Sequence, residues 1–253
     1  MALLETDPMH QFVVQPVLEL PTLFGIDLTI TNSALFMILT TLVTSFGLIL
    51  LTGRGAMVPT RSQSIAEILY GFVADMVRSI MGEEGRAVFP YVFTLFIFIL
   101  VANLLGMLPG SYTVTSQLVV TLALGLTSIA LVVITGFIKN GFGFLKLFAP
   151  AGLPPVMYIL IVPIEFISFL SRPFSLAIRL FANMMAGHTL LKLFGGFVLS
   201  LSSLGAIGIA GAVLPMAVAT AVTALELVIA FLQAYVFAVL TCIYLNDALH
   251  PSH

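Results

Sequence analysis

Seven side chains, five ionisable and two neutral amides, stand in stretches built mostly from apolar residues. They are Glu165, Arg179, Asn183, His188, Glu226, Gln233 and Asp247. Arg179 is the most demanding. It lies in Ser175-Leu-Ala-Ile-Arg-Leu-Phe-Ala-Asn183, and the nearest acids along the chain are Glu165 and Glu226. A guanidinium keeps its proton at any physiological pH. Placing one at the centre of a membrane helix costs roughly 2.5–3.5 kcal/mol on insertion scales. No nearby carboxylate offsets that cost, so the counter-charge is expected from outside the chain, with the unpaired arginine as the working part.

Helical geometry sorts the other six. Successive residues turn by about 100°, so Arg179 and Asn183 share a face while His188, nine residues on, looks the opposite way. Glu226, Gln233 and Asp247 recur at multiples of seven and form one stripe, toward which His188 can point. A His and a Glu brought together in a wet cavity make a proton relay, since both can titrate within a few units of neutrality. Ionisable groups at membrane depth commonly mark such paths. Plainer roles stay open for several neighbours. Lys192 can snorkel to an interface. Arg172, followed by Pro173, can pair with Glu165 seven residues earlier. Asn183 and Gln233 can hydrogen-bond between helices. One His and one Glu are too few for a structural zinc site, so neither metal nor cofactor is expected. Ala177, Ala182, Ala186 and Gly187 surround the arginine. Small side chains of this kind let a partner helix approach closely.

The elements that position these groups belong to a membrane protein. Of 253 residues, 60% are hydrophobic and 8% charged, against about 25% charged in a soluble domain. A net charge of −2 argues against nucleic acid as a partner, and the single Cys242 excludes an intrachain disulfide framework. Glu5, Asp7, Glu19 and Asp27, with no Lys or Arg in the first 30 residues, do not resemble a secretory leader or a transit peptide. The expected fold is an all-α integral membrane domain of about five to six helices over residues 1–253. After an N-terminal segment at 1–30, spans are expected at 31–52, 88–108 and 116–138. Between the first two, apolar residues from Ile65 to Ile80 recur at helical spacing opposite Glu67, Asp75 and Arg78. That pattern predicts an amphipathic helix at 62–82, lying on the membrane surface or packed against a soluble partner.

Residues 156–200 and 204–248 are apolar runs of more than forty residues. A helix that long reaches roughly 60 Å, about twice the hydrocarbon thickness. Each run is therefore two short spans or one oblique helix. Two long tilted helices forming a C-terminal hairpin are the favoured reading, with Pro163, Pro173, Pro215 and Gly195-Gly196 available for bends. The connection from Gly106 to Ser116 has no charge, whereas Arg54, Arg61, Arg78 and Arg86 precede it and Lys139 and Lys146 follow. The positive-inside rule places those basic segments in the cytoplasm, and the uncharged connection and acidic N-terminus outside.

Ser175-Leu-Ala-Ile-Arg-Leu-Phe-Ala-Asn-Met-Met-Ala-Gly-His188 and Leu232-Gln-Ala-Tyr-Val-Phe-Ala-Val-Leu-Thr-Cys-Ile-Tyr244 together resemble subunit a of F-type ATP synthases. Asn103-Leu-Leu-Gly-Met-Leu-Pro-Gly110 resembles an earlier span of that family, and the similarity extends over essentially the whole chain. The resemblance implies a proton-translocating stator with two offset half-channels. Its partners would be a ring of c subunits, b-type peripheral-stalk subunits, the rest of the ATP synthase, and the lipid bilayer. By the same resemblance Arg179 faces the ring carboxylate, with Asn183 and Gln233 beside it. Glu165 belongs to the cytoplasm-side half-channel, and His188, Glu226 and Asp247 to the opposite one. His at the first position and Glu at the second is the alpha-proteobacterial and mitochondrial arrangement. It implies a bacterial inner membrane, or alternatively a mitochondrial one.

A proton-coupled secondary transporter is the competing class, but no repeat relates the two halves of the chain. A purely structural scaffold leaves Arg179 unexplained. No Gly-rich phosphate loop ending in Lys-Ser/Thr is present, and no Ser–His–acid set outside the membrane. The chain is thus not expected to be an enzyme in its own right.

Overall fold

The computed structural model describes residues 12–18, 29–53, 59–108, 111–148 and 154–250. Glu5, Asp7, Glu19, Asp27, Arg54 and the Pro109-Gly110 pair lie outside the described residues. Among the described residues six α-helices follow a two-stranded antiparallel ladder, β1 (Pro16–Leu18) and β2 (Ile30–Thr31). They are α1 (Asn32–Thr52), α2 (Arg61–Met81), α3 (Gly85–Gly106), α4 (Leu118–Asn140), α5 (Pro155–Ser202) and α6 (Ala206–Leu249). Five helical stretches are long and apolar enough to cross a membrane: Asn32–Thr52, Arg61–Gly106, Leu118–Leu147, Val156–Ser202 and Ala206–Leu249. The chain is an all-α integral membrane protein.

Helices α5 and α6 each run unbroken for 48 and 44 residues, which settles the choice between paired short spans and single long helices. Pro163, Pro173 and Pro215 are all accommodated inside them. Only residues 203–205 join the two, with Gly205 at φ +84°, a backbone region that favours glycine. Helix α2 starts at Thr60, whose hydroxyl accepts from the Gln63 N–H at 3.4 Å, and it ends at Gly82, φ +62°. Positive φ at Gly82 takes the chain out of the helical path and separates α2 from α3.

The chain divides into two compact units. The first comprises residues 1–43, 99–117 and 180–233. There the Asn32 side chain caps α1, accepting from the backbone N–H of Ser33 at 2.8 Å and of Gln15 at 3.2 Å, while donating to the Val13 carbonyl at 3.0 Å. The Phe12 carbonyl accepts from Gln117 Nε2 at 2.9 Å and from the Tyr112 hydroxyl at 3.4 Å. Burial pushes the Tyr112 phenol above its ordinary range, outweighing the opposite effect of the hydrogen bond from Gln117, so it remains a donor. Asn103 is fully buried at the end of α3. It donates to the Ala230 carbonyl at 3.2 Å and accepts from Thr115 Oγ1 at 2.8 Å. The end of a largely apolar span is thereby fixed in register against α6 by one amide.

The second unit comprises residues 44–98, 118–179 and 234–253. Helix α2 buries Ala66, Val73, Met76, Val77 and Met81, and Phe72 packs against Phe96 and Tyr235. Helices α4 and α5 cross closely at Gly125, where a Cβ would stand 2.8 Å from the Pro173 carbonyl oxygen. Lys139 at the end of α4 donates to Glu84 in the α2–α3 turn, and His250 lies 3.7 Å from the same carboxylate. Asn140 donates to the carbonyls of Ala248 and Leu249 at 2.8 and 3.2 Å. The C-terminal end of α6 is therefore tied to the same basic connections that carry Lys139 and Lys146.

Candidate functional site

In the second unit α5 carries two arginines seven residues apart, and their surroundings differ. Arg172 is half-buried, 3.7 Å from Asp247, with its guanidinium over the Tyr244 ring at 4.7 Å and near Phe169 at 5.7 Å. Arg179 is exposed and, among the described residues, makes no ion pair and no hydrogen bond. Glu165 is half-buried and likewise has no ion pair among the described residues. One reading changes on these distances: Arg172 is paired with Asp247 and not with Glu165.

The first unit brings four of the sequence candidates together in two pairs. Asn183 on α5 donates through Nδ2 to Gln233 Oε1 on α6 at 3.2 Å, the interhelical hydrogen bond left open by the sequence. About one and a half turns further along α5, His188 Nε2 lies 3.6 Å from Glu226 Oε1. Glu226 is 2% exposed and Gln233 4%. Neither Glu226 oxygen has a hydrogen-bond partner among the described residues, and the Gln233 Nε2 is in the same position. Polar atoms buried in this way are costly unless they exchange protons or hydrogen bonds with something else.

The close approach of Glu226 has a local cause. A Cβ at Gly187 would stand 2.6 Å from Glu226 Oε1, so any larger residue would push the carboxylate from this position. Of the four small residues around Arg179, Gly187 thus serves the acid of α6. Ala182 and Ala186 are exposed, while Ala177 is fully buried. Positions 179, 182 and 186 recur at helical spacing, and each is exposed.

Thr113 completes the His188 surroundings, with Oγ1 3.1 Å from Nε2. Sequence reasoning passed over it because its connection has no charge and no motif. The run of hydroxyls Thr113, Thr115 and Ser116 was the available signal, and all three are buried. Among the described residues no group of three His, Cys, Asp or Glu could hold a metal ion.

The family model described as ATP synthase A chain matches residues 34–246. A protein of Mesorhizobium japonicum called ATP synthase subunit a is 58% identical over 253 residues, covering 100% of both chains. A protein of the same description from Chelativorans sp. is 57% identical over 248 residues, covering 98% of this chain and 99% of its own. One from Brucella canis is 56% identical with the same coverage.

Proposed function

Because the chain belongs to the ATP synthase A chain family, we propose that it is the stator subunit whose side chains pass protons to and from a rotating ring of carboxylates. It is a non-catalytic membrane subunit of the ATP synthase and assembles with the rest of that complex. The finer reading has three parts. A proton arriving from the outside passes through His188 and Glu226 and neutralises a ring carboxylate, which can then turn into lipid without the cost of a bare charge. After nearly a full circle the carboxylate meets a second wet region near Glu165 and releases its proton to the cytoplasm. Arg179 stands in the path between, where its permanent charge holds each returning carboxylate ionised and repels protons that would otherwise leak through. Asn183, four residues after the arginine, is bonded to Gln233 on α6, and the two amides provide polar surroundings there.

Asp247 is reassigned. Its pairing with Arg172, and the anchoring of the end of α6 to Asn140, support a place on the cytoplasmic side with Glu165. On the positive-inside rule the C-terminus then lies in the cytoplasm. The ring of c subunits is the partner of the Arg179 face, b-type stalk subunits are further partners, and a bacterial inner membrane is the location. Driving energy is adequate, since one proton crossing about 100 mV releases roughly 2.3 kcal/mol.

The observation that carries this reading is the exposed Arg179 with no acid beside it among the described residues, on a helix that pairs its other arginine. Arg179→Lys tests it. An ammonium is a more strongly hydrated point charge and can lose its proton when buried. The variant complex is expected to assemble and retain ATP hydrolysis on its soluble sector, while proton-driven ATP synthesis in membrane vesicles disappears. Normal coupled synthesis in that variant refutes the proposal.

A further inference from the structure

Two glycines frame a single ring nitrogen. Gly187 makes the place for Glu226, and Gly106 at the end of α3 does the same for Thr113. A Cβ at Gly106 would stand 2.7 Å from Thr113 Cγ2 and 3.0 Å from its Oγ1. Between the two seated side chains lies His188 Nε2, 3.1 Å from Thr113 Oγ1 and 3.6 Å from Glu226 Oε1. Thr113 is 6% exposed, so its hydroxyl must find partners inside the protein.

A hydroxyl has one proton to give. Thr113 donates it to the Gly106 carbonyl at 3.3 Å. His188 Nε2 can take either role toward that oxygen, whereas the carbonyl can only accept. We infer that the Thr113 proton stays directed at the carbonyl and that Thr113 is thereby a positioning residue: its oxygen accepts from Nε2–H, which fixes that tautomer with the hydrogen on the ring nitrogen nearest Glu226 and leaves Nδ1 as the basic one. The inference rests on the reading of His188 and Glu226 as a proton path. In the step it serves, a proton binds Nδ1, the Nε2–H bond breaks, and an O–H bond forms on the Glu226 carboxylate. One proton is taken and one delivered, and the ring ends as neutral as it began. The charged groups around the ring are Glu226 from α6 and, one turn along α5, the exposed Lys192. Neither sets which nitrogen carries hydrogen as directly as an acceptor at 3.1 Å.

The tautomer can be read without any transport. In the intact complex labelled with 15N-histidine, the His188 signal is identified by its loss in His188→Ala. It is expected to report a protonated Nε2 and a bare Nδ1. Thr113→Val keeps the shape and removes the hydroxyl. It should erase that preference and slow proton-driven ATP synthesis about tenfold or more, whereas Thr113→Ser restores both. A wild-type ring protonated on Nδ1, or a Thr113→Val spectrum identical to wild type, overturns the inference. If Thr113→Val fails to assemble, the wild-type spectrum decides alone. A His188→Ala complex that transports protons normally would instead sink the parent reading. The two failures are separable because the spectrum is recorded with no driving force.

Discussion

Arg172 and Arg179 are the same residue type, two turns apart on one helix, yet one has an acid beside it and the other, among the described residues, has none. Arg172 has a carboxylate at 3.7 Å and an aromatic face at 4.7 Å. Arg179 has neither an ion pair nor a hydrogen bond among the described residues and is exposed. A cation with its own acid is held at fixed depth and can trade with nothing. A cation without one can bind each carboxylate that passes and let it go. The difference lies in what α6 brings alongside, not in the arginine motif itself.

The comparison breaks most completely if Arg179 is given an acid of its own. Ser175 is exposed and four residues before it, and an acid placed N-terminal to a base at that spacing pairs well on a helix. In Ser175→Asp, proton-driven ATP synthesis by vesicles is expected to fall by about a hundredfold or more, with a complex of normal composition on native gels. Full activity would mean that Arg179 need not be free.

Glu226 is the intermediate case, near a partner yet with both oxygens unsatisfied among the described residues. Glu226→Gln keeps the volume and removes the proton site. Passive proton flow through the stripped membrane sector should slow by about a hundredfold, the scale of losing a positioned acid–base group. Unchanged flow would take Glu226 off the path.

Arg172 should behave as structure. Arg172→Gln leaves Asp247 without its partner in a half-buried place, and after allowance for solvent screening it should cost about 1–2 kcal/mol. Thermal melting of the purified complex would show a lowered midpoint, and adding Asp247→Asn should recover most of it. Coupling of synthesis to the proton gradient should survive in whatever assembles. If coupling is lost as completely as in Arg179→Lys, the two arginines are not different in kind. The smallest effect is expected at Lys139. Its pair with Glu84 is well exposed to solvent, and Lys139→Ala should leave both melting and synthesis within error of wild type.

Much of this was legible in the sequence, and the limits have physical causes. Arg179 stood out because charge in an apolar run has no cheap explanation. His188 facing Glu226 followed from angular spacing on two long helices, whereas spacing set Asn183 on the Arg179 face and left its bond to Gln233 only as an open possibility. What spacing could not supply was depth and third partners. Asp247 shares the Glu226 stripe but sits about six turns away, beside an arginine 75 residues earlier that no local pattern connects to it. Asn103 and Thr113 gave only a faint signal, a polar side chain near a span end and a hydroxyl in an uncharged connection. Their importance comes from a carbonyl of α6 and a ring of α5. Gly106 and Gly187 read as ordinary small residues until the atoms they make room for are placed.

The carbonyl of Phe12 takes two hydrogen bonds, from Gln117 and Tyr112, on either side of the stretch that carries Thr113. A main-chain oxygen is present whatever side chain follows it, so scanning position 12 by substitution would find nothing. Only shortening the chain could remove that acceptor. Purification tags or truncations that cut into residues 12–18 would therefore disturb proton handling while leaving every familiar functional side chain untouched.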